Sequence, residues 1–177
     1  MPSIKKLPIS FYARKDVVAI AKELLGKLLI TNFENQKCVT RIVETEAYIA
    51  HIDKASHAYN GKRTSRNEHM YASPGTAYVY ICYGMHQMFN VVTNASEIPH
   101  AILIRAAEPV AGLDIMLART GKKTPDNTVT KGPGNMAKAL GISKMHSGGD
   151  LSGDAVFIVS GGDMVKEQQI VTSKRIG

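Results

Sequence analysis

The sequence predicts a single domain of the mixed α/β (α+β) class, with a mainly antiparallel, curved sheet, a protruding β-hairpin and surrounding helices. Three observations carry this prediction. Strand-like segments are grouped around a central hairpin, and helix-like segments stand before and after that group. The length of 177 residues suits one core, so that residues 1–177 are expected to form one domain.

The N-terminal part of the chain predicts one helix followed by two strands. Asp16 precedes apolar residues that are spaced for one helical face, which predicts a helix near residues 16–25 that Gly26 ends in a left-handed cap. The segments Lys27–Thr31 and Cys38–Tyr48 are rich in β-branched and apolar residues. They predict two strands, and the polar stretch between them predicts a turn.

The middle of the chain predicts a long loop and then a hairpin. Residues 49–75 show little periodicity, and long ordered loops in compact domains are usually functional. Thr76–Cys82 and His86–Thr93 predict two strands on either side of Tyr83-Gly84-Met85, a hairpin tip that contains a glycine. Ala101–Ala107 predicts a further strand.

The C-terminal part predicts two helices and a last strand. Pro109 is predicted as the first residue of a helix that ends at the solvated loop beginning with Gly121. A second helix is predicted to begin at Gly132-Pro133-Gly134 and to end at Gly141. The remaining predictions are a strand, Ala155–Ser160, and a turn at Gly161-Gly162.

The composition of the chain limits the kinds of molecule that it can bind and the cellular compartment in which it is expected. A formal charge of +7 favours a polyanionic partner, either nucleic acid or an anionic membrane surface. No segment approaches the roughly 18 consecutive apolar residues of a membrane span, and no apolar signal-peptide core follows the N-terminus. We expect a protein that is not secreted and is cytoplasmic or nucleoid-associated in a bacterium, or nuclear in a eukaryote. Cys38 and Cys82 lack partners at zinc-ligand spacing, so we expect no metal and two reduced, buried thiols.

Two carboxylates stand close together on one predicted strand. Strand alternation would place Ile42, Glu44, Glu46 and Tyr48 on one face, with the two acids about 6–7 Å apart along the chain. A solvated outer face is the simpler interpretation. A functional face gains weight because the strand leads into a His-containing loop and because a cationic partner is available.

That partner is Arg105, a single guanidinium within the apolar run 101–107. A buried guanidinium needs a carboxylate, and Glu44 or Glu46 is the expected one. The residues alone leave two roles open for such a pair. It either fixes the register of two strands or takes part in catalysis.

Aromatic residues follow the predicted hairpin. Tyr78, Tyr80 and Cys82 share one strand face, and Tyr83 stands at the tip. Tyr83 is either an ordinary turn residue or a wedge that enters between base pairs of DNA. Tyr48 and Tyr80 offer flat surfaces for stacking a base, although packing within the fold is the commoner use of such rings.

Three further features fit either a binding site or ordinary surface. His57 is either a solvated loop residue or a hydrogen-bond donor in a pocket. Gly132-Pro133-Gly134 leaves free backbone N–H groups at a helix start, which suits a phosphate. A basic loop segment mixes charged and neutral donors, as phosphate-contacting loops do. Its residues are Lys62, Arg63, Thr64, Arg66 and Asn67.

With these residues identified, the chain resembles the alkyladenine (3-methyladenine) DNA glycosylase family from about Leu7 to its end. Long motifs in the right order make this resemblance more specific than any single site. The motifs are Leu24-Leu25-Gly26-Lys27-Leu28-Leu29, Arg41-Ile42-Val43-Glu44-Thr45-Glu46-Ala47-Tyr48, Pro74-Gly75-Thr76-Ala77-Tyr78-Val79-Tyr80-Ile81-Cys82-Tyr83-Gly84-Met85, Ile102-Leu103-Ile104-Arg105-Ala106-Ala107-Glu108-Pro109 and Gly132-Pro133-Gly134.

The resemblance implies a role for each matching residue. Glu46 is implied as the general base that activates water, and Arg105 as a residue that helps to hold that water. Tyr83 is implied as the wedge that fills the gap left by the flipped nucleotide. In the implied base-binding pocket, Tyr48 stacks on one side of the base, and His57 and Tyr80 stack on the other. Asn90 is implied as the residue that screens purines by their exocyclic groups. Thr64, Arg66, Gly132, Pro133 and Gly134 fall where the family approaches DNA.

The chain departs from the family pattern at two places. Asn135 stands where the family usually has lysine at the start of the helix, so the resemblance does not carry over one phosphate contact. The family also continues past the segment that resembles Ser173-Lys174-Arg175-Ile176-Gly177. A missing final strand or tail is therefore expected.

The activity implied by the resemblance is that of a monofunctional hydrolase of base excision repair. It flips an alkylated or deaminated purine out of double-stranded DNA and cleaves the N-glycosidic bond with a water activated by Glu46. We expect no cofactor, a monomer, no membrane partner and no strand cleavage at the abasic product, since no lysine matches a Schiff-base role in the family. A non-catalytic binder of distorted DNA is the main alternative. A carbohydrate glycosidase is disfavoured, because two acids on one strand do not flank a sugar from opposite faces.

Overall fold

The computed structural model describes residues 5–161 and 165–175. Among these residues, no helix is both long and apolar enough to cross a bilayer. Four α-helices are present in the described part of the chain: α1 Ile9–Tyr12, α2 Val17–Leu24, α3 Leu113–Thr120 and α4 Pro133–Leu140. The strands are β1 Leu28–Phe33, β2 Gln36–Tyr48, β3 Ala77–Cys82, β4 His86–Thr93, β5 His100–Ala111 and β6 Val156–Val159.

The six strands form one curved sheet in the order β3-β4-β5-β2-β1-β6. Every neighbouring pair is antiparallel. The predicted fold class, a single mixed domain with a mainly antiparallel sheet, is confirmed. The two strands that carry the predicted acid and guanidinium, β2 and β5, are direct neighbours in the middle of the sheet.

The two faces of the sheet pack against different parts of the chain. On one face, Val79, Val91 and Ile102 belong to the main core, together with residues of α2 and α4. The residues next to them in sequence point to the other face, because strand side chains alternate. There, Tyr78, Val92 and Ala101 form a smaller cluster with Ala58, Met70 and Tyr71 of the segment between β2 and β3. The predicted long loop therefore covers the second face of the sheet.

The start of the fold follows its local signals. The Asp16 side chain accepts a hydrogen bond from the Ala19 N–H, so it caps α2 as predicted. Helix α2 ends at Leu24, and Gly26 (φ +81°) then turns the chain into β1. The polar stretch between β1 and β2 is mostly strand, contrary to the prediction. Only Glu34 and Asn35, both with positive φ, form the turn, because a two-residue loop suffices to join two antiparallel strands.

The pairing of β2 with β5 is irregular at three places, and the irregularity after Ile42 changes the predicted alternation. The register against β5 shifts between Ile42 and Glu44, so Val43 is an extra, exposed residue at an irregularity of the strand. Ile42 lies in the main core, and the Thr45 hydroxyl donates to the Ala21 carbonyl of α2 on that same side. The prediction that Ile42 shares a face with Glu44 and Glu46 is therefore wrong. Beyond the irregularity, Thr45 and Ala47 face the core side, and Glu44 and Glu46 face the other side with Arg105.

The helix predicted to begin at Pro109 begins later. Pro109 lies within β5, opposite Thr40 of β2, and α3 starts at Leu113 after Gly112 with φ +79°. Strand β4 pairs with β5 only over residues 100–103, so the other edge of β5 is free at Pro109. A proline costs little there, because no neighbouring strand needs its missing N–H. The predicted end of the helix is confirmed, since Gly121 (φ +76°) caps α3.

The other predicted elements lie close to their expected places. Strand β4 has the predicted bounds, and α4 begins at Pro133 and ends before Gly141. The segment between β2 and β3 contains two 3₁₀ helices that were not predicted, Tyr59–Gly61 and Glu68–Tyr71. The predicted turn at Gly161-Gly162 includes Gly162, which lies outside the described residues. Both cysteines are free, but Cys82 is only half-buried, contrary to expectation, because it lies beside the exposed hairpin tip.

Candidate active site

Glu44, Glu46 and Arg105 meet on the face of the sheet that the long loop covers. Arg105 donates from Nε to Glu44 Oε1 at 3.0 Å and from Nη1 to Glu46 Oε2 at 2.6 Å. The two acids differ in environment, since the side chain of Glu46 is 15% exposed and that of Glu44 is 53% exposed. The ion pair expected from the sequence therefore exists with both carboxylates, and Glu46 is the more enclosed one.

A second guanidinium reaches Glu46 from the C-terminal segment. Arg175 Nε lies 3.0 Å from Glu46 Oε1, and its two Nη atoms bind both carboxylate oxygens of Asp53 at 2.7 and 2.6 Å. Arg175, Ser173 and Lys174 line a cleft of about 140 Å³ together with Glu44, Glu46 and Arg105. Reasoning from the sequence missed Arg175 and Asp53, because they are 122 residues apart and neither stands in a recognisable pattern.

Aromatic side chains from β2, β3 and the long loop enclose a second, smaller cavity. His57 Nδ1 lies 2.8 Å from the Tyr78 hydroxyl, and the His57 ring lies 4.5 Å from the Tyr80 ring in an edge-on arrangement. The cavity volume is about 20 Å³, which is room for about one water molecule. A purine therefore enters only if the side chains around the cavity move apart. The lining residues are Tyr48, Ala55, His57, Met70, Tyr78, Tyr80, Asn90 and Ala101.

Burial keeps this aromatic cavity uncharged at neutral pH. It lowers the pKa of His57 below its usual value, and the positive charges of Arg66 and Lys62 act in the same direction. Burial also raises the pKa of Tyr48, and the neighbouring Glu46 carboxylate adds to that rise. The pKa values of Tyr78 and Tyr80 are raised by burial as well. A neutral imidazole and neutral phenols therefore surround the cavity.

Two buried asparagines hold the backbone here: Asn90 lines the aromatic cavity, and Asn67 holds the loop beside it. The buried Asn90 donates from its side-chain amide to the carbonyls of Tyr78 and Met88, at 3.2 and 3.1 Å. Asn67 is also buried, and its amide donates to the carbonyls of His57 and Lys62 at 2.9 and 2.8 Å. Its oxygen accepts the Thr64 N–H at 2.7 Å. Asn67 thus organises the loop that carries His57, which is a different role from the phosphate contact that the sequence suggested.

The basic loop forms a groove next to the aromatic cavity. Thr64 and Arg66 line this groove of about 350 Å³ with Lys54 and Lys62. Arg66 also donates to the Ile81 carbonyl at 3.1 Å and lies 5.6 Å from the Tyr80 ring centre. Arg63, by contrast, is engaged within the protein by Glu68 and Glu97 at 2.5 Å each. The groove therefore presents several cations beside His57, without Arg63.

The hairpin tip and the start of α4 form a separate part of the candidate interface. Tyr83 has φ +50° and is 91% exposed at the tip between β3 and β4. At the base of that tip, a Cβ added to Gly134 would lie 2.7 Å from Nδ1 of His86. Glycine thus permits the N-terminal turn of α4 to approach the hairpin. Gly132, with φ +85°, precedes this turn, and no side chain caps the free N–H groups.

Most of the sequence-predicted residues are brought together. Glu46 and Arg105 lie at the cleft, and Tyr48, His57, Tyr80 and Asn90 line the aromatic cavity beside it. Thr64 and Arg66 lie in the adjoining groove, while Tyr83, Gly132 and Gly134 belong to the hairpin end. Within residues 5–161 and 165–175, no group of three His, Cys, Asp or Glu side chains is arranged to hold a metal ion.

Comparison with known proteins gives one consistent result. A model of the methylpurine-DNA glycosylase family matches residues 10–177. A relative from Desulfitobacterium hafniense is 45% identical over 98% of this chain and 88% of its own length. A relative from Chlamydia abortus is 47% identical over 86% of this chain and 80% of its own length. A relative from Clostridium perfringens is 42% identical over 97% of this chain and 87% of its own length. All three carry the provisional name 3-methyladenine DNA glycosylase.

Proposed function

Because the chain belongs to the methylpurine-DNA glycosylase family, we propose that it releases alkylated or deaminated purines from double-stranded DNA by hydrolysis. The product is an abasic site, and the reaction is a step of base excision repair. The single observation that carries this proposal is the contact between Glu46 and Arg105 at the cleft, beside an aromatic cavity. An acid in that place can act on the sugar while the base is held next to it.

Glu46 acts as the general base. Its carboxylate takes a proton from a water whose oxygen attacks C1′ of the deoxyribose, while the N-glycosidic electron pair leaves with the purine. The sugar becomes positively charged as this bond breaks, and the carboxylate stabilises that charge. Arg105 holds one oxygen of Glu46 at 2.6 Å and so fixes the direction in which the acid points. It also helps to hold the water.

The aromatic cavity receives the flipped base. Tyr48 stacks on one side of the purine, and His57 and Tyr80 stack on the other. Alkylated purines such as 3-methyladenine carry a positive charge in DNA, which favours aromatic ring faces and disfavours a protonated imidazole. The lowered pKa of His57 therefore suits such a base. Asn90 stands at the cavity wall and screens purines by their exocyclic groups.

The remaining residues hold the DNA. Tyr83 enters the duplex from the hairpin tip and fills the space of the flipped nucleotide, which requires the exposed and rigidly supported ring that the hairpin provides. The N–H groups after Gly132 and Gly134 face a phosphate at the start of α4. Thr64 and Arg66 contact the backbone from the basic groove. These contacts make binding depend on salt.

The reaction ends at the abasic site without strand cleavage. A lyase needs an amine that forms a Schiff base with the sugar, and Glu46 activates water instead. Lys174 is the lysine that lines the cleft, so it is the residue to test. Borohydride should trap no covalent complex with DNA that contains an excised base, and Lys174→Ala should release base as the unmodified protein does. Trapping that depends on Lys174 would contradict this part of the proposal.

Release of free base from methylated duplex DNA tests the function as a whole. We expect 3-methyladenine in the supernatant and abasic sites in the DNA, which break only after heating with alkali. A protein that binds such DNA tightly and releases no base would be a binder of distorted DNA. A panel with 7-methylguanine, hypoxanthine and ethenoadenine then defines the range of substrates.

A further inference from the structure

We propose that Arg175 is a positioning residue that holds the general base, the stacking ring and the long loop in one arrangement. This inference rests on the function proposed above. A single guanidinium contacts four residues here. Nε binds Glu46 Oε1 at 3.0 Å, both Nη atoms bind Asp53, and the guanidinium carbon lies 4.5 Å from the centre of the Tyr48 ring. Nη2 also donates to the Ala47 carbonyl, within the same strand as Glu46 and Tyr48.

The first consequence concerns the carboxylate of Glu46. Arg105 binds Oε2 and Arg175 binds Oε1, so the two guanidiniums hold the carboxylate from both sides. A carboxylate held at one oxygen rotates about its last bond, whereas one held at both oxygens keeps its plane. Each oxygen has about two acceptor positions, so the two guanidiniums leave one on each oxygen. The neighbouring Tyr48 hydroxyl takes at most one of these, and a position remains for a water. Arg175 thus restricts the orientation of the base without using up its capacity to accept a proton.

The second consequence concerns Asp53, which anchors Arg175. The Asp53 side chain is 13% exposed and also accepts the backbone N–H groups of Ile49 and Ala55, at 3.4 and 3.0 Å. The hydrogen bonds from Arg175 lower the pKa of Asp53, so it is ionised at neutral pH. Planar, bidentate pairing with a carboxylate is specific to arginine, since a lysine ammonium is a point charge. Asp53 therefore fixes the plane of the guanidinium that faces Glu46.

The third consequence concerns charge. The connected network consists of three carboxylates, Glu44, Glu46 and Asp53, and two guanidiniums, Arg105 and Arg175. Its net charge is minus one. An excess negative charge next to C1′ stabilises the positive sugar of the transition state. Without Asp53, the remaining two carboxylates and two guanidiniums would be neutral as a group, and this excess negative charge would be lost.

Variants of Arg175 and Asp53 distinguish two roles for Arg175. It either positions the Glu46 carboxylate or only attaches the C-terminal segment to the rest of the protein. In single-turnover excision of 3-methyladenine at saturating protein, Arg175→Ala should be slower by about 10- to 100-fold, because small displacements of a catalytic group cost rate on that scale. Binding to a duplex with an abasic-site analogue should be unchanged. Arg175→Lys should stay well below the unmodified protein, because an ammonium cannot hold Asp53 and Glu46 together. Asp53→Asn should also be slower.

The double variant Arg175→Ala/Asp53→Asn gives the decisive comparison. If Asp53 acts through Arg175, the double variant should be no slower than Arg175→Ala alone, which means that the two effects are not additive. Arg14→Ala is a matched control, because Arg14 makes a bidentate pair with Glu23 and lies 4.6 Å from the Phe11 ring, away from Glu46. It should excise at the unmodified rate.

Three results would overturn the inference. The first is excision at the unmodified rate by Arg175→Ala or Arg175→Lys. The second is faster excision by Arg175→Ala, which would mean that Arg175 obstructs the reaction. The third is that the rate losses of Arg175→Ala and Asp53→Asn add up in the double variant. A thermal melt of each variant shows whether slower excision is caused by unfolding. If Arg175→Ala does not fold, the excision rate of Asp53→Asn still tests the inference. Failure of the proposed function is distinguishable, because then the unmodified protein releases no base in the same assay.

Discussion

Gly134 and His86 approach so closely that a methyl group on Gly134 would lie 2.7 Å from Nδ1 and 3.1 Å from Cβ of the histidine. The contact joins the N-terminal turn of α4 to the base of the hairpin that carries Tyr83. Two parts of the proposed DNA-binding surface, distant in sequence, are therefore held in one arrangement. This close packing leads to the first prediction.

Gly134→Ala should lower stability and weaken binding to duplex DNA. Alanine favours a helix over glycine by up to about 1 kcal/mol, but overpacking at a tight contact costs about 1–3 kcal/mol, so the clash wins. Denaturant unfolding and duplex binding measure the two effects. The matched test is the double variant Gly134→Ala/His86→Ala, which removes the clashing ring but keeps Cβ at 3.1 Å, and it should recover most of the lost stability. No recovery would show that the contact with His86 does not limit the approach of α4.

Tyr83→Ser should weaken duplex binding and slow excision while leaving the melting temperature unchanged. The ring is 91% exposed, so its removal takes no packing from the fold, but it removes the wedge. Tyr83→Phe is the control, because it keeps the ring and loses only the hydroxyl, and it should excise at nearly the unmodified rate. Equal excision by Tyr83→Ser and the unmodified protein on duplex DNA would exclude Tyr83 from the mechanism.

Asn67→Ala should destabilise the loop that carries His57. The substitution leaves the His57 carbonyl and the Thr64 N–H without the Asn67 side chain as partner, and it removes one of the two donors to the Lys62 carbonyl, to which the Tyr71 hydroxyl also donates. This loss should cost about 2–4 kcal/mol. Asn67→Asp is a sharper variant, since it keeps the acceptor for Thr64 and loses both donors. We expect lower stability and slower excision in each variant. Unchanged excision with normal stability would show that the loop keeps its shape without Asn67.

Stability should fall as the pH drops below about 6.5, the ordinary pKa of histidine. Burial lowers the pKa values of His57, His100 and His146, so each takes up a proton less readily in the folded protein than in the unfolded chain. The unfolded state then binds more protons, and the free energy of unfolding rises with pH in this window. Denaturant titrations between about pH 7 and pH 5 measure the slope. His57→Gln should reduce it, and an unchanged slope would mean that His57 does not contribute.

Local patterns were enough to predict the fold class and most of the strands. The Asp16 cap, the glycine at the hairpin tip and the apolar run around Arg105 are signals within a few residues, and each was interpreted correctly. Pro109 was misinterpreted because a proline fits both a helix start and a free strand edge. Only the pairing of β5 decides between the two.

The site was predictable where its residues belong to motifs, and not where they meet through the fold. Glu46 and Arg105 stand on strands whose neighbour relation follows from the sheet. Arg175 and Asp53 come together only in the folded chain, and nothing near either residue indicates the other. The shift in register after Ile42 is a similar case, because an alternating sequence gives no sign of an extra residue in one strand.

Glu46→Gln, compared with Glu44→Gln, tests the central claim most directly. Both acids bind Arg105, at 2.6 and 3.0 Å, so Glu44→Gln controls for the loss of one carboxylate partner of Arg105. We predict that Glu46→Gln binds abasic and methylated duplexes normally but excises 3-methyladenine more slowly by at least about 100-fold in a single-turnover assay, whereas Glu44→Gln loses much less. Excision by Glu46→Gln at the rate of the unmodified protein would contradict the assignment of Glu46 as the general base.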